Sequence, residues 1–379
     1  MKLSTRGTVA PFIVMDVMEA AARAEAAGRH IIHMEVGQPG TSAPKAAREA
    51  VAKAMEGGTL GYTGALGLPA LRKRIAGLYK DWYGIDLNPD RVVVTTGSSA
   101  GFTLAFTSLF DVGARVGIGA PGYPSYKAIL QALGLECVML ETSRQNRYQP
   151  APEDLPGDLD GLLVASPANP SGTMLDREAL SALIGACDVQ GASFISDEIY
   201  HGLEYDRKAV SALEVSDDVY IINSFSKYFS MTGWRIGWMV VPEGHIRQVE
   251  RLAQNFFICA PHVSQVAALG AFDGLEELKG NIEVYRKNRE LMMEGLPKAG
   301  FTRIAPPDGA FYVYADVSGL TDDSHSFAFE ILEKAGVSVT PGGDFDPERG
   351  HQTLRFSYAR STADIEEGLA RLKNFMDAR

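Results

Sequence analysis

Residues 162–200 read LLVASPANPSGTMLDREALSALIGACDVQGASFISDEIY. Leu162 to Ala165 is a short apolar run, followed by the turn residues Asn169-Pro170-Ser171-Gly172. Arg177 to Val189 carries a helical pattern. Ser193 to Ser196 is a second short run, closed by Asp197-Glu198-Ile199-Tyr200. Short apolar strands alternating with helices predict a mainly parallel sheet covered by helices on both faces.

The same alternation extends in both directions. Upstream, Arg91–Thr95 reads as a strand, Gly97–Phe110 as a helix, Arg115–Gly119 as a strand, Ser125–Leu133 as a helix and Cys137–Leu140 as a strand. Downstream, Val219–Ile222 and Gly237–Val241 read as strands. Before them, Ser42–Met55 reads as a helix with Ser42 as its cap, Pro44 in its first turn and Gly57-Gly58 as its stop. A glycine-rich loop, Gly61–Gly67, precedes a helix over Pro69–Tyr83. From about Leu275 the style changes to a long charged helix (Glu276–Glu294), then strand-like pieces at Ala310–Tyr314, Val337–Thr340 and Leu354–Tyr358, then a helix over Thr362–Met376. We therefore expect a large α/β domain over residues 42–280. A smaller α+β domain is expected from residues 1–41 plus 281–379, because chain ends often pack together.

Composition narrows the function classes. The 379 residues are 46% hydrophobic and 22% charged, which suits a globular protein with a sizeable core. A net charge of -11 argues against a general nucleic-acid or anionic-membrane binder. The three cysteines form no CxxC and the seven histidines no HExxH, so neither a disulfide framework nor a metal site is expected. The first residues lack the apolar core of a signal peptide, and no apolar run approaches bilayer length, so a cytoplasmic location is expected.

In open α/β sheets ligands bind beyond the carboxyl ends of the strands. The segments just beyond the predicted strands are polar and varied. Thr96-Gly97-Ser98-Ser99 opens a helix, whose free N–H groups and dipole favour a phosphate, though a plain helix cap looks the same. Tyr123 stands in Pro121-Gly122-Tyr123-Pro124, either a packing residue or a plate for a flat ring. Asn169 sits in a turn, and Asp197 is either a helix cap or a fixed anion. Ser224-Phe225-Ser226-Lys227 puts a lysine among aromatics, eight residues before Arg235. A lone lysine is usually a solvated charge, but a desolvated one near other cations has a lowered pKa and becomes an amine nucleophile.

Taken together, SxSK, an arginine in GWRIG, NPSG and DEIY resemble the fold-type I, aspartate-aminotransferase-like (class I/II) pyridoxal-phosphate family, from Gly37 to Arg355. The resemblance implies a mainly parallel, seven-stranded type of sheet and a pyridoxal 5'-phosphate cofactor. It implies that Lys227 carries the cofactor as a Schiff base and later shuttles the α-proton. Asp197 would pair with the ring nitrogen. Tyr200 and Asn169 would bond the ring oxygen, and Tyr123 would stack on the ring. Ser98, Ser99, Ser224 and Arg235 would hold the phosphate. Tyr62 would reach the neighbouring site of a homodimer. Arg355, with Gly37 and Asn169, would bind the substrate α-carboxylate, which an arginine fork suits.

The implied reaction is transamination between an L-amino acid and a 2-oxo acid. The same scaffold also hosts C–S β-lyases and related elimination enzymes, which cofactor residues do not distinguish. A non-catalytic regulator would need a DNA-binding domain for which the start of the chain leaves no room, and a nicotinamide enzyme would need a GxGxxG after a strand. Near Ser99, where some aspartate-using relatives carry a lysine, this chain has none. Phe12, in Pro11-Phe12-Ile13, and Asn255-Phe256-Phe257-Ile258 are candidates for an apolar side-chain pocket. The expectation leans toward a neutral or aromatic donor, with aspartate and alanine open.

Overall fold

The computed structural model describes residues 1–379. The N-terminal part runs through helix α1 (Ile13–Ala26) and the short strand β1 (Ile32–His33) into α2 (Lys45–Glu56) and α3 (Pro69–Tyr83). The alternating part comes next: β2 (Val92–Thr95), α4 (Gly97–Leu109), β3 (Arg115–Ala120), α5 (Pro124–Leu133), β4 (Glu136–Glu141), β5 (Gly161–Ala165), α6 (Arg177–Gln190), β6 (Ser193–Asp197), β7 (Tyr220–Ser224) and β8 (Gly237–Val240). These strands form one seven-stranded sheet in the order β2-β8-β7-β6-β5-β3-β4. Only β8 runs antiparallel to its neighbours β2 and β7. The strand order reverses between β3 and β5, which leaves a crevice at their carboxyl ends.

Period-two patterning sorts the strand side chains to two buried faces. Leu162, Val164, Phe194 and Ile221 join a core with α3 and α6. Leu163, Ile195 and Ile222 face the other way, against Phe102 and Phe106 of α4 and Leu130 of α5. A sheet covered on both sides in this way holds its strand ends in fixed positions.

Helices α7 (Ile246–Phe256), α8 (His262–Ala271) and α9 (Leu275–Lys298) lead to β9 (Arg303–Ile304), β10 (Tyr312–Asp316), α10 (Ser324–Ala335), β11 (Val337–Ser338), β12 (Thr340–Pro341), β13 (Thr353–Ser357) and α11 (Thr362–Asp377). A four-stranded antiparallel sheet has the order β12-β13-β10-β9. Tyr312 and Phe356 from this sheet share the core that backs the larger one. The chain ends meet: β1 pairs in parallel with β11, Ile32 opposite Val337.

Two local expectations need correction. The second helix starts at Lys45, with Pro44 rather than Ser42 in the cap position. Its Lys45 N–H donates to Glu277 Oε2 at 2.9 Å, so the cap comes from α9 and Ser42 stands too early to supply it. Val337–Thr340 is not one strand. Val337-Ser338 pairs with β1, whereas Thr340-Pro341 pairs with β13, and the chain changes sheets at Val339. No helix is long and apolar enough to cross a membrane.

Candidate active site

Lys227 projects from a turn that its neighbours hold rigid. Phe225 is fully buried against the rings of Phe229, Trp238 and Phe272. The Ser224 hydroxyl donates to Ser226 Oγ at 2.8 Å, and Met231 N–H donates to the Phe225 carbonyl at 3.1 Å. From this turn Lys227 Nζ reaches across and donates to the Gly37 carbonyl at 2.5 Å. The amine is enclosed by protein but faces a cavity, and 5.5 Å separates it from the Tyr200 ring centre. Burial, then the positive charge of Arg355, brings its pKa down to about 7, against the opposing pull of Asp197.

Asp197 is the last residue of β6 and is 3% exposed. Its Oδ1 accepts from Ile199 N–H at 3.1 Å, and its Oδ2 accepts from the Tyr126 hydroxyl. Burial raises its pKa to about 6, while the Tyr126 and Ile199 hydrogen bonds and the nearby Lys227 charge act the other way. Tyr200 lies three residues on, and its hydroxyl meets that of Tyr312 at 2.8 Å.

Arg355, on β13, approaches from the smaller sheet with 4% exposure. Nη1 donates to Asn169 Oδ1 at 2.9 Å, and Nη2 donates to the Glu35 carbonyl at 2.6 Å. Its Nε is buried with no partner in the chain. An unsatisfied guanidinium N–H is costly in a protein interior, so this fork is set up to receive an anionic group. Gly37 stands close by; a Cβ there would overlap the Tyr312 hydroxyl.

The opposite end of the cavity gathers groups of a kind that favours an anion. Gly97 takes a left-handed φ of +74° at the start of α4, where the N–H groups of the first turn have no partner inside the helix. A Cβ on Gly97 would come within 2.6 Å of Arg235 Nη2, so glycine lets the guanidinium lie against the helix start. Arg235 Nη1 donates to the Thr232 carbonyl at 2.9 Å.

A cavity of about 330 Å³ joins these groups, inside the range of about 300–1,000 Å³ usual for small-molecule sites. Gly37, Ser98, Ser99, Tyr123, Asn169, Asp197, Tyr200, Lys227, Arg235 and Arg355 line it. Ser224 stands one layer back, its hydroxyl spent on Ser226 Oγ and the Ile236 carbonyl, and Ser226 lines the cavity instead. Tyr62 is 83% exposed and outside the cavity of its own chain. Phe12 lines the cavity, but residues 255–258 do not: they close the end of α7, where Phe256 and Ile258 face solvent. Sequence reasoning missed Tyr126, Tyr312 and the α1 residues Val14, Met15 and Met18, all in the lining. A helical apolar spacing at Val14, Val17, Met18 and Ala21 was the available signal for α1.

Comparison with known proteins agrees with this geometry. The family model for aminotransferase class I and II matches residues 29–372. The chain belongs to the class I and II aminotransferases. It is 45% identical to a valine–pyruvate aminotransferase from Mycobacterium tuberculosis, over 99% of this chain and 98% of the relative. A crystal structure from Silicibacter pomeroyi is 71% identical with a TM-score of 0.96, covering 100% of both chains. An aspartate aminotransferase structure from Thermus thermophilus, with maleate, is 29% identical with a TM-score of 0.92, covering 99% of this chain and 100% of that one.

As an aminotransferase the protein moves an amino group between an amino acid and a 2-oxo acid with pyridoxal 5'-phosphate. These relatives do not favour the elimination chemistry that shares the scaffold. The residues present fit that cofactor. An amine of lowered pKa, a buried carboxylate, a tyrosine plate and a helix start with an arginine against it surround one cavity.

Proposed function

We propose that this aminotransferase takes its amino group from neutral amino acids with apolar side chains and passes it to a small 2-oxo acid. One observation carries the substrate class. The only cations lining the cavity are Lys227, Arg235 and Arg355, and the wall nearest α1 is Phe12, Val14, Met15 and Met18. With those three cations assigned to cofactor, phosphate and α-carboxylate, no cation of this chain is left for a side-chain carboxylate. The 45% identity to a valine–pyruvate aminotransferase supports the same reading.

In this reading residues 42–280 carry the cofactor, and residues 1–41 with 281–379 supply the carboxylate grip. Lys227 would hold the cofactor covalently through Nζ. Asp197 would face the ring nitrogen, with Tyr126 holding Oδ2 in place. Tyr123 would cover one ring face, and Tyr200 and Asn169 would bond the ring oxygen. Ser98, Ser99 and Arg235 would hold the phosphate, with Ser224 acting through Ser226. The cofactor supplies an electron sink for the bond broken at the substrate α-carbon. The Lys227 amine, its pKa brought down to about 7, takes the α-proton at Nζ and returns it on the other side of the reaction. Arg355 grips the α-carboxylate with its fork, and Gly37 adds a backbone N–H. We further propose a homodimer, in which Tyr62 reaches the neighbouring site, working in the cytoplasm; the three free thiols suit a reducing compartment.

The test is a donor screen on the holoenzyme without acceptor, read by the change in cofactor absorbance. L-valine and L-leucine convert the cofactor efficiently. L-aspartate, whose second carboxylate meets an apolar wall, does so at least about tenfold less efficiently, a difference of about 1.4 kcal/mol. Equal efficiency with aspartate sinks the substrate assignment.

A further inference from the structure

The turn Pro341–Phe345 touches several parts of the site at once. Asp344 reaches the start of α1: Oδ1 accepts from Ile13 N–H at 2.8 Å and Oδ2 accepts from Val14 N–H at 2.8 Å. The first amides of a helix have no partner within the helix. Phe12 occupies the cap position and makes no side-chain cap hydrogen bond. Asp344 therefore caps this helix from 331 residues away, and its negative charge suits the positive end of the helix dipole. Gly343 permits the approach, since a Cβ there would stand 3.3 Å from Ile13 Cδ1.

The next residue ties the turn to the site. The Phe345 ring centre lies 4.8 Å from the Arg355 guanidinium carbon. The Phe345 carbonyl accepts from Gly122 N–H at 2.9 Å, one residue before Tyr123. Tyr123 in turn meets the Phe12 ring edge-on at 6.3 Å. One short turn thus fixes the start of α1 relative to Arg355 and to the Tyr123 plate. Phe12, Val14, Met15 and Met18 are the cavity residues that depend on it.

We propose that Asp344 is a specificity-positioning residue: by capping α1 it holds the apolar wall at a set distance from Arg355, and so sets the preference for a branched apolar donor. This rests on the apolar-donor reading above. Asp344 touches no reacting atom; its charge is also felt by Arg355, an effect that L-valine and L-alanine would share through their common carboxylate, whereas the wall on α1 distinguishes them. Without its two acceptor oxygens the Ile13 and Val14 amides lose their partners, and the first turn of α1 loosens. A donor as small as alanine does not fill the space up to the wall.

The experiment compares wild-type holoenzyme with Asp344→Ala and Asp344→Asn, by amide hydrogen exchange over α1 and by the donor half-reaction with L-valine and with L-alanine. In Asp344→Ala, exchange at Ile13 and Val14 rises, and half-saturation by L-valine needs about five- to tenfold more donor, the equivalent of one lost helix cap. L-alanine is little affected, and Asp344→Asn, which keeps one acceptor oxygen, falls between. If L-valine half-saturation is unchanged in Asp344→Ala, whether or not exchange rises, the specificity role is overturned while the donor reading stands. Wild-type enzyme that uses L-aspartate as readily as L-valine overturns the donor reading, and the specificity role with it.

Discussion

Lys227 sits where burial and two arginines work against its charge, and Asp197 alone works for it. An amine is a nucleophile only when neutral. Loading of the cofactor-free protein with pyridoxal 5'-phosphate should therefore speed up as pH rises through about 7, the pKa to which burial brings the amine. Stopped-flow absorbance measures this directly; a midpoint near that of free lysine, about 10.4, would show that the amine is solvated. Lys227, Asp197 and Arg355 were legible in the sequence because each follows or sits on a recognisable strand with a distinctive neighbourhood. Tyr126 was not, because a tyrosine two residues into a helix looks like core, and only the tertiary fold brings its hydroxyl to Asp197. The Ser224 hydroxyl turns toward the loop and Ser226, which stands in the cavity wall, a contact that the pattern SxSK alone does not reveal.

At the scale of elements, the start of α4 carries the sharpest prediction. Gly97→Ala meets both a left-handed φ of +74° and the Arg235 side chain. The left-handed strain alone costs about 1–2 kcal/mol, so cofactor binding, measured by fluorescence, should become at least about fivefold weaker. Gly77→Ala is the control. Gly77 lies inside α3 with open space around its Cβ position, so the change should stabilise the protein by about 0.5–1 kcal/mol in denaturant titration. An equal effect of the two substitutions on cofactor affinity would refute the built anion site. The strands of the large sheet were readable because both of their faces are buried, which makes them short, apolar and sharply bounded. The start of helix α1 was not, because its cap comes from Asp344 and leaves no local signal before Ile13; only its apolar spacing was readable. The break at Val339 was hidden for a related reason: pairing with two different strands is a property of the tertiary fold.

At the scale of the whole molecule, the exposed Tyr62 is the clearest pointer to a second chain. Thr63 N–H donates to Cys259 Sγ at 3.5 Å, which brings the Tyr62 loop beside the exposed Phe256 and Ile258. The proposed homodimer would cover this apolar surface. Sedimentation should give twice the chain mass. Mixed dimers of a Lys227→Ala chain and a Tyr62→Phe chain should regain tight cofactor binding at one site, because the intact Tyr62 and the intact Lys227 then meet across the interface. Failure to regain it would mean that Tyr62 does not serve the neighbouring site. The meeting of the chain ends at β1 and β11 was legible only as a tendency of terminal segments; its register, Ile32 opposite Val337, is a product of packing.

One lysine, Lys227 on the turn after β7, is proposed to carry the cofactor. Borohydride reduction of the holoenzyme followed by peptide mass spectrometry tests it most directly. The prediction is a single reduced cofactor adduct on the peptide containing Lys227; an adduct on any other lysine, with Lys227 unmodified, would contradict the account.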